Sequence, residues 1–137
     1  MNQKHIPNLE LCQEFDRLCK EKNITLPETE FYWKVGKASG HANLTTDKPD
    51  LENWTKTDDG FDWYHAPLVS EQGEWLPPAI KVKDALAYLK YVPHSDKQTD
   101  VIYSKVGWFH QESDYKEANA RQKMINYLLA EGIITTL

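Results

Sequence analysis

Leu9, Cys12, Phe15, Leu18 and Cys19 recur at spacings of three and four, with Glu10, Glu14, Arg17 and Lys20 between them. That period makes one face of a helix apolar and the other charged. The first helix is predicted from Asn8, a good N-cap, to about Lys22, with Asn23 as a left-handed stop. At Thr29–Val35 the period changes to two. Phe31 and Trp33 share one face, and Tyr32 and Lys34 share the other, which predicts a strand. Gly36–Gly40 reads as a turn. Residues 41–60 are polar, anchored by Leu44, Leu51 and Trp54. A long stretch without elements of its own is a frequent carrier of function. Asp59-Gly60 turns the chain into a second strand, Phe61–Leu68. Ser70–Gly73 is a further turn, and Trp75 and Leu76 re-enter the sheet. Pro77-Pro78 then marks a strand end or edge, because proline donates nothing to a ladder.

Val82, Ala85, Leu86 and Leu89 fall on one side of a helix, with Lys83, Ala87 and Lys90 outward. This predicts a central helix over Val82–Tyr91 stopped by Pro93. Pro93–Thr99 is a loop, and Asp100–Phe109 a strand with Gly107 as a bulge. Asp114 is predicted to open the last helix, with Glu117 as its capping-box partner. Ala118, Met124, Ile125, Leu128 and Leu129 give that helix its core stripe, and Gly132 ends it. The order is α-β-β-β-α-β-α over a single domain, residues 1–137. That is an α+β class with a mostly antiparallel sheet of about four strands and three helices. The expected core is Phe31, Trp63, Leu86, Leu89, Ile102, Ile125 and Leu128.

Charge narrows the partners. The net charge is −5 and the basic residues are interspersed with acids, which disfavours nucleic acid. Cys12 and Cys19 lie about 10 Å apart along one helix, too far to pair, and read as reduced core thiols. No apolar run follows Met1 and no stretch is long enough to span a membrane, so the expected location is cytoplasmic, without a membrane partner.

Candidate chemistry is sparse. His5, His41, His65, His94 and His110 are scattered, and no metal-ligand spacing occurs, so no metal or cofactor is assigned. No Gly-x-Ser-x-Gly or phosphate-binding loop is present. Cysteines on an apolar helix face are poor nucleophiles. No catalytic residue is therefore assigned. A hydrolase would need groups that converge in three dimensions, for which His65 with Asp62 or Glu74 is the candidate. Aromatics are the richer signal. Trp33, Trp54, Trp75 and Trp108 lie in or beside strands and the polar stretch, and with Lys56 they form the candidate binding set. Several on one side of an open sheet would grip a partner's apolar anchor. They would equally stack a nucleobase, with Lys34, Lys37, Lys56, Lys81 or Arg121 at the rim.

Four segments carry a resemblance. They are residues 8–15, the aromatic run Phe31-Tyr32-Trp33, the joint at 76–80 with 84–89, and the tail at 117–134. Together they resemble a loose group of small phage and prophage open reading frames of no assigned function. The resemblance implies a setting, an accessory protein in a bacterial host's cytoplasm, and carries over no functional residue. The resulting expectation is a non-enzymatic binding module that engages a host protein. The alternatives are a sponge that sequesters a small nucleotide in an aromatic-lined pocket, with an oligomer as its natural form, and a small hydrolase.

Overall fold

A computed structural model describes residues 3–48 and 60–137. Among the described residues, three α-helices and two antiparallel sheets make an α+β fold, and helices and strands follow in the expected order. Helix α1 is Leu9–Glu21. Strands β1 (Phe31–Gly36), β2 (Ala42–Thr45) and β3 (Phe61–Ala66) form one sheet in the order β2-β1-β3. Helix α2 (Val69–Trp75) leads to β4 (Ala79–Val82), β5 (Ala85–Pro93), β6 (Thr99–Lys105) and β7 (Trp108–Asp114), a four-stranded meander. Helix α3, Glu117–Ala130, follows it.

The main core lies between the inner face of the meander and α3. Ala87, Val101 and Tyr103 from the strands meet Met124, Ile125, Leu128 and Leu129, with Phe15 and Leu18 of α1 behind them. Tyr103 donates its hydroxyl to the Pro77 carbonyl at 2.6 Å, so the double-proline joint is fastened to the central strand. A second, smaller core joins Ile6 and Cys12 to Trp33 and Ala66 of the three-stranded sheet. Between the helices runs a buried amide chain. Gln72 donates to Gln122 at 3.0 Å, Gln122 to Asn126 at 2.9 Å, and Asn126 to the Leu11 carbonyl at 3.2 Å, tying α2, α3 and α1 together.

Several local expectations change. The segment 82–91 is strand, not helix, and the second helix lies earlier, at Val69–Trp75. Ala87, Leu89 and Tyr91 face the core while Leu86, Tyr88 and Lys90 face out, which is period two. A ten-residue segment fits either period, and ladders on both sides of β5 decide it. Trp75 and Leu76 close α2 rather than a strand. Ala42–Thr45 of the polar stretch pairs with β1. Gly107 is not a bulge: with φ +81° it occupies the two-residue turn between β6 and β7, which pair one to one. Helix α3 starts at Glu117. Asp114 stands before it, and its carboxylate takes the Lys116 N–H at 2.9 Å. Asn23 and Gly132 are left-handed, as expected.

Candidate functional site

The outer face of the meander is the candidate. In β5 and β7 the residues that alternate with the core set are Leu86, Tyr88, Phe109 and Gln111, all exposed. Tyr88 is 60% and Phe109 68% exposed. Val106, at the β6–β7 turn, is fully exposed. Cross-strand pairing sets Tyr88 opposite Ser104 and Ser104 opposite Phe109, so two rings flank one small side chain. Strands about 4.8 Å apart place the two ring-bearing Cα atoms about 10 Å from each other, enough for one inserted side chain. A depression of about 740 Å³ opens beside Phe109, floored by Ile102 and Ser104 and bordered by Gln111.

The charge of this face opposes that of the whole protein. Lys81 and Lys90 project beside the apolar residues, and Lys83 stands at the β4–β5 turn, all exposed. Asp84 shares that turn with Lys83 and is exposed, while at the far end the Asp100 carboxylate is already occupied. It accepts from Ser113 Oγ at 2.6 Å and Gln98 at 3.3 Å, and meets His94 Nε2 at 2.5 Å. The Ser113 and His94 bonds hold the Asp100 carboxyl below its ordinary range, and the Asp100 bond raises the His94 pKa. The patch is thus apolar with a lysine rim.

The expected tryptophans do not assemble there. Trp33 is buried, its indole N–H donating to the Pro7 carbonyl at 3.2 Å. Trp75 stacks on Phe15 with ring centres 5.6 Å apart. Trp108 packs against the main core and borders the depression from within. Trp54 and Lys56 lie outside the described residues. Sequence reasoning placed Leu86 and Ile102 in the core and passed over Tyr88 and Phe109. The available signal was that β5 is apolar on both parities, which a strand with a single covered face does not need.

A second concavity, about 530 Å³, lies between α1 and β3. Here Asp16, not Asp62 or Glu74, is the partner of His65. The Asp16 carboxylate accepts the His65 N–H at 3.2 Å and lies 3.3 Å from Nδ1. Asp62 instead faces Lys37 at 3.9 Å. Trp63 and Tyr64 line one side of the groove and Arg17 and Lys20 the other, but Arg17 is forked onto Glu21 at 3.0 and 3.1 Å. No serine, threonine or cysteine is among its described lining residues. The thiols are buried away from it. Burial drives the Cys12 pKa far up, and burial with Asp16 pushes Cys19 up to about 12.

Other rim candidates are engaged. Lys34 lies over Phe61, 4.1 Å from the ring centre, and over Trp63 at 5.0 Å. Arg121 stacks on Tyr91 at 4.4 Å while bonding the Val69 carbonyl and Glu117. Among the described residues no three metal-ligating side chains converge, and no helix is long and apolar enough to cross a membrane. Comparison with protein-family models, with curated proteins and with solved structures found no match.

Proposed function

We propose that this protein is a binding module whose outer meander face takes a protein partner, which in the setting implied by the sequence resemblance is a host protein. One observation carries the reading: Leu86, Tyr88, Ile102 and Phe109 form a contiguous apolar patch edged by Lys81 and Lys90 on a protein of net charge −5. Aromatic residues exposed in a cluster are the usual anchors of protein interfaces. The lysine rim selects a partner segment in which an apolar side chain is flanked by carboxylates. The inserted side chain would enter beside Ser104, between the Tyr88 and Phe109 rings.

The test is selection from a random peptide library against the intact chain, with counter-selection on a Tyr88→Ser/Phe109→Ser variant. The expected winners carry an aromatic or large aliphatic residue with Asp or Glu on either side. They bind the wild type at least about tenfold tighter than the variant, and more weakly as salt rises. Winners that bind both proteins equally, or that carry basic flanks, would refute this reading.

A further inference from the structure

Strand β7 is an edge strand with few of the devices that keep edges from pairing: Glu112 stands on its inner face opposite buried Val101, and Lys123 of α3 reaches its far end. Among the described residues it pairs with β6 alone. Its seven residues pair one to one with β6 without a bulge, and they include no proline and no lysine. The other sheet edges are guarded. β4 and β2 have four residues each, and β4 follows Pro77-Pro78 and carries Lys81. On β3 the His65 N–H is taken by Asp16.

Backbone direction follows from the turn. A two-residue hairpin closes on a hydrogen-bonded pair, here Lys105 with Trp108. Alternation then points the N–H and C=O groups of Phe109, Gln111 and Ser113 away from β6. Lys123 Nζ reaching the Ser113 carbonyl at 3.1 Å agrees with that direction, and a carbonyl's second lone pair leaves this oxygen able to accept again.

The strand is also self-complementary. About a two-fold axis at Gln111, an antiparallel copy pairs all seven residues. Phe109 meets Ser113, Gln111 meets Gln111, Trp108 meets Asp114, and His110 meets Glu112. No like charges stand opposite each other. His110 and Glu112 already meet within one chain, Nε2 to Oε2 at 2.6 Å, with the His110 ring stacked on Tyr127, so this pair is satisfied in each copy and sets no like charges across the axis. Shifting the axis to Ser113 would instead set Glu112 against Asp114.

We infer that β7 pairs antiparallel with β7 of a second copy of this chain, centred on Gln111, joining the two meanders into one continuous sheet. The pairing does not depend on what the outer face binds, and it would bring two apolar patches onto one surface. Sedimentation velocity of the full chain over a dilution series tests it, with Gln111→Lys and Gln111→Pro beside the wild type. The lysine variant sets like charges against each other on the axis. The proline variant removes an N–H that β6 does not use. The expected result is a concentration-dependent wild-type dimer whose dissociation constant rises about tenfold or more in each folded variant. Gln111→Lys should keep its circular dichroism and urea midpoint, because Gln111 is exposed. A wild type that stays monomeric throughout, or a dimer that survives the lysine substitution, would overturn the inference. If Tyr88→Ser disperses the dimer and Gln111→Lys does not, the copies meet face to face and the edge assignment is wrong.

Discussion

The two sheets treat their aromatic residues differently. In the three-stranded sheet the aromatics have partners within the chain. Trp33 is buried in the smaller core, Lys34 lies over Phe61 and Trp63, and Lys48 approaches the ring of Tyr32, 5.6 Å from its centre. In the meander Tyr103 is sealed beneath the sheet, but Tyr88 and Phe109 stand in solvent on its other side. Among the described residues no ring and no cation lies against either of them. Aromatic content alone therefore does not locate a binding surface. What distinguishes the meander is aromatic area, beside Lys81 and Lys90, that finds no ring, cation or ion-pair partner among the described residues.

The largest test of that contrast compares Trp33→Ala with Tyr88→Ala. Removing a buried indole that also holds the Pro7 carbonyl should cost about 3–5 kcal/mol. Removing an exposed ring should cost no more than about 0.5 kcal/mol. Urea denaturation of both variants measures this. A Tyr88→Ala loss approaching that of Trp33→Ala would mean that the outer face is structural, and the distinction between the sheets would fail.

A smaller effect concerns the helical side of the meander. A Cβ on Gly73 would come within 2.9 Å of the Arg121 guanidinium, which is pinned by the Val69 carbonyl, Glu117 and Tyr91. Gly73→Ala should therefore destabilise the protein by about 1 kcal/mol, because the lost contacts outweigh the gain in helix propensity. With Arg121→Ala already present the sign should reverse, and alanine at position 73 should stabilise by about 0.8 kcal/mol. A double-mutant cycle by thermal or urea unfolding reads the sign. The same sign in both backgrounds would show that Gly73 is not kept open for Arg121.

Lys34→Met sharpens the contrast from the other sheet. It keeps the alkyl stem and removes the charge over Phe61 and Trp63, and should cost about 0.5–1 kcal/mol. The companion substitution Lys90→Met, on the meander's open face, should leave stability within about 0.5 kcal/mol and weaken only partner binding. Equal stability losses for the two lysines would place Lys90 among the structural cations.

The α+β class, the order of helices and strands, and the ends of α1 and α3 were legible because long periodic segments with left-handed stops leave few alternatives. Residues 82–91 were not. Ala, Leu and Lys there favour a helix, and the competing ladders come from β4 and β6, which local sequence does not display. That change of period hid the β5 side of the candidate face, since Leu86 reads as core on a helix and as surface on a strand, and reading Gly107 as a bulge instead of a turn hid the β7 side with Phe109. Asp16 was missed as the partner of His65 for a related reason: 49 residues separate them, and only the packing of α1 against β3 brings them together.

The smallest effect is electrostatic and sits at the far end of the meander's open face. His94 normally titrates near 6.5, and its bond to Asp100 raises that value. Its contribution to stability is therefore fully present below the ordinary value and is lost as pH rises through the raised one. Asp100 is shifted the other way from 3.8, chiefly by Ser113 and then by His94. Its contribution is present above the ordinary value and is lost as pH falls through the depressed one. The pair therefore stabilises most between those limits, in mildly acidic solution. The difference in urea midpoint between wild type and Asp100→Asn should be larger at about pH 5 than at about pH 8. Because His94 is partly exposed, added salt should shrink that difference. A difference that grew with pH would mean that Ser113 and Gln98 hold Asp100 without help from the imidazolium. Asp100 would then keep its negative charge on the open face, held only by neutral donors, and would partly offset the lysine rim across the whole range.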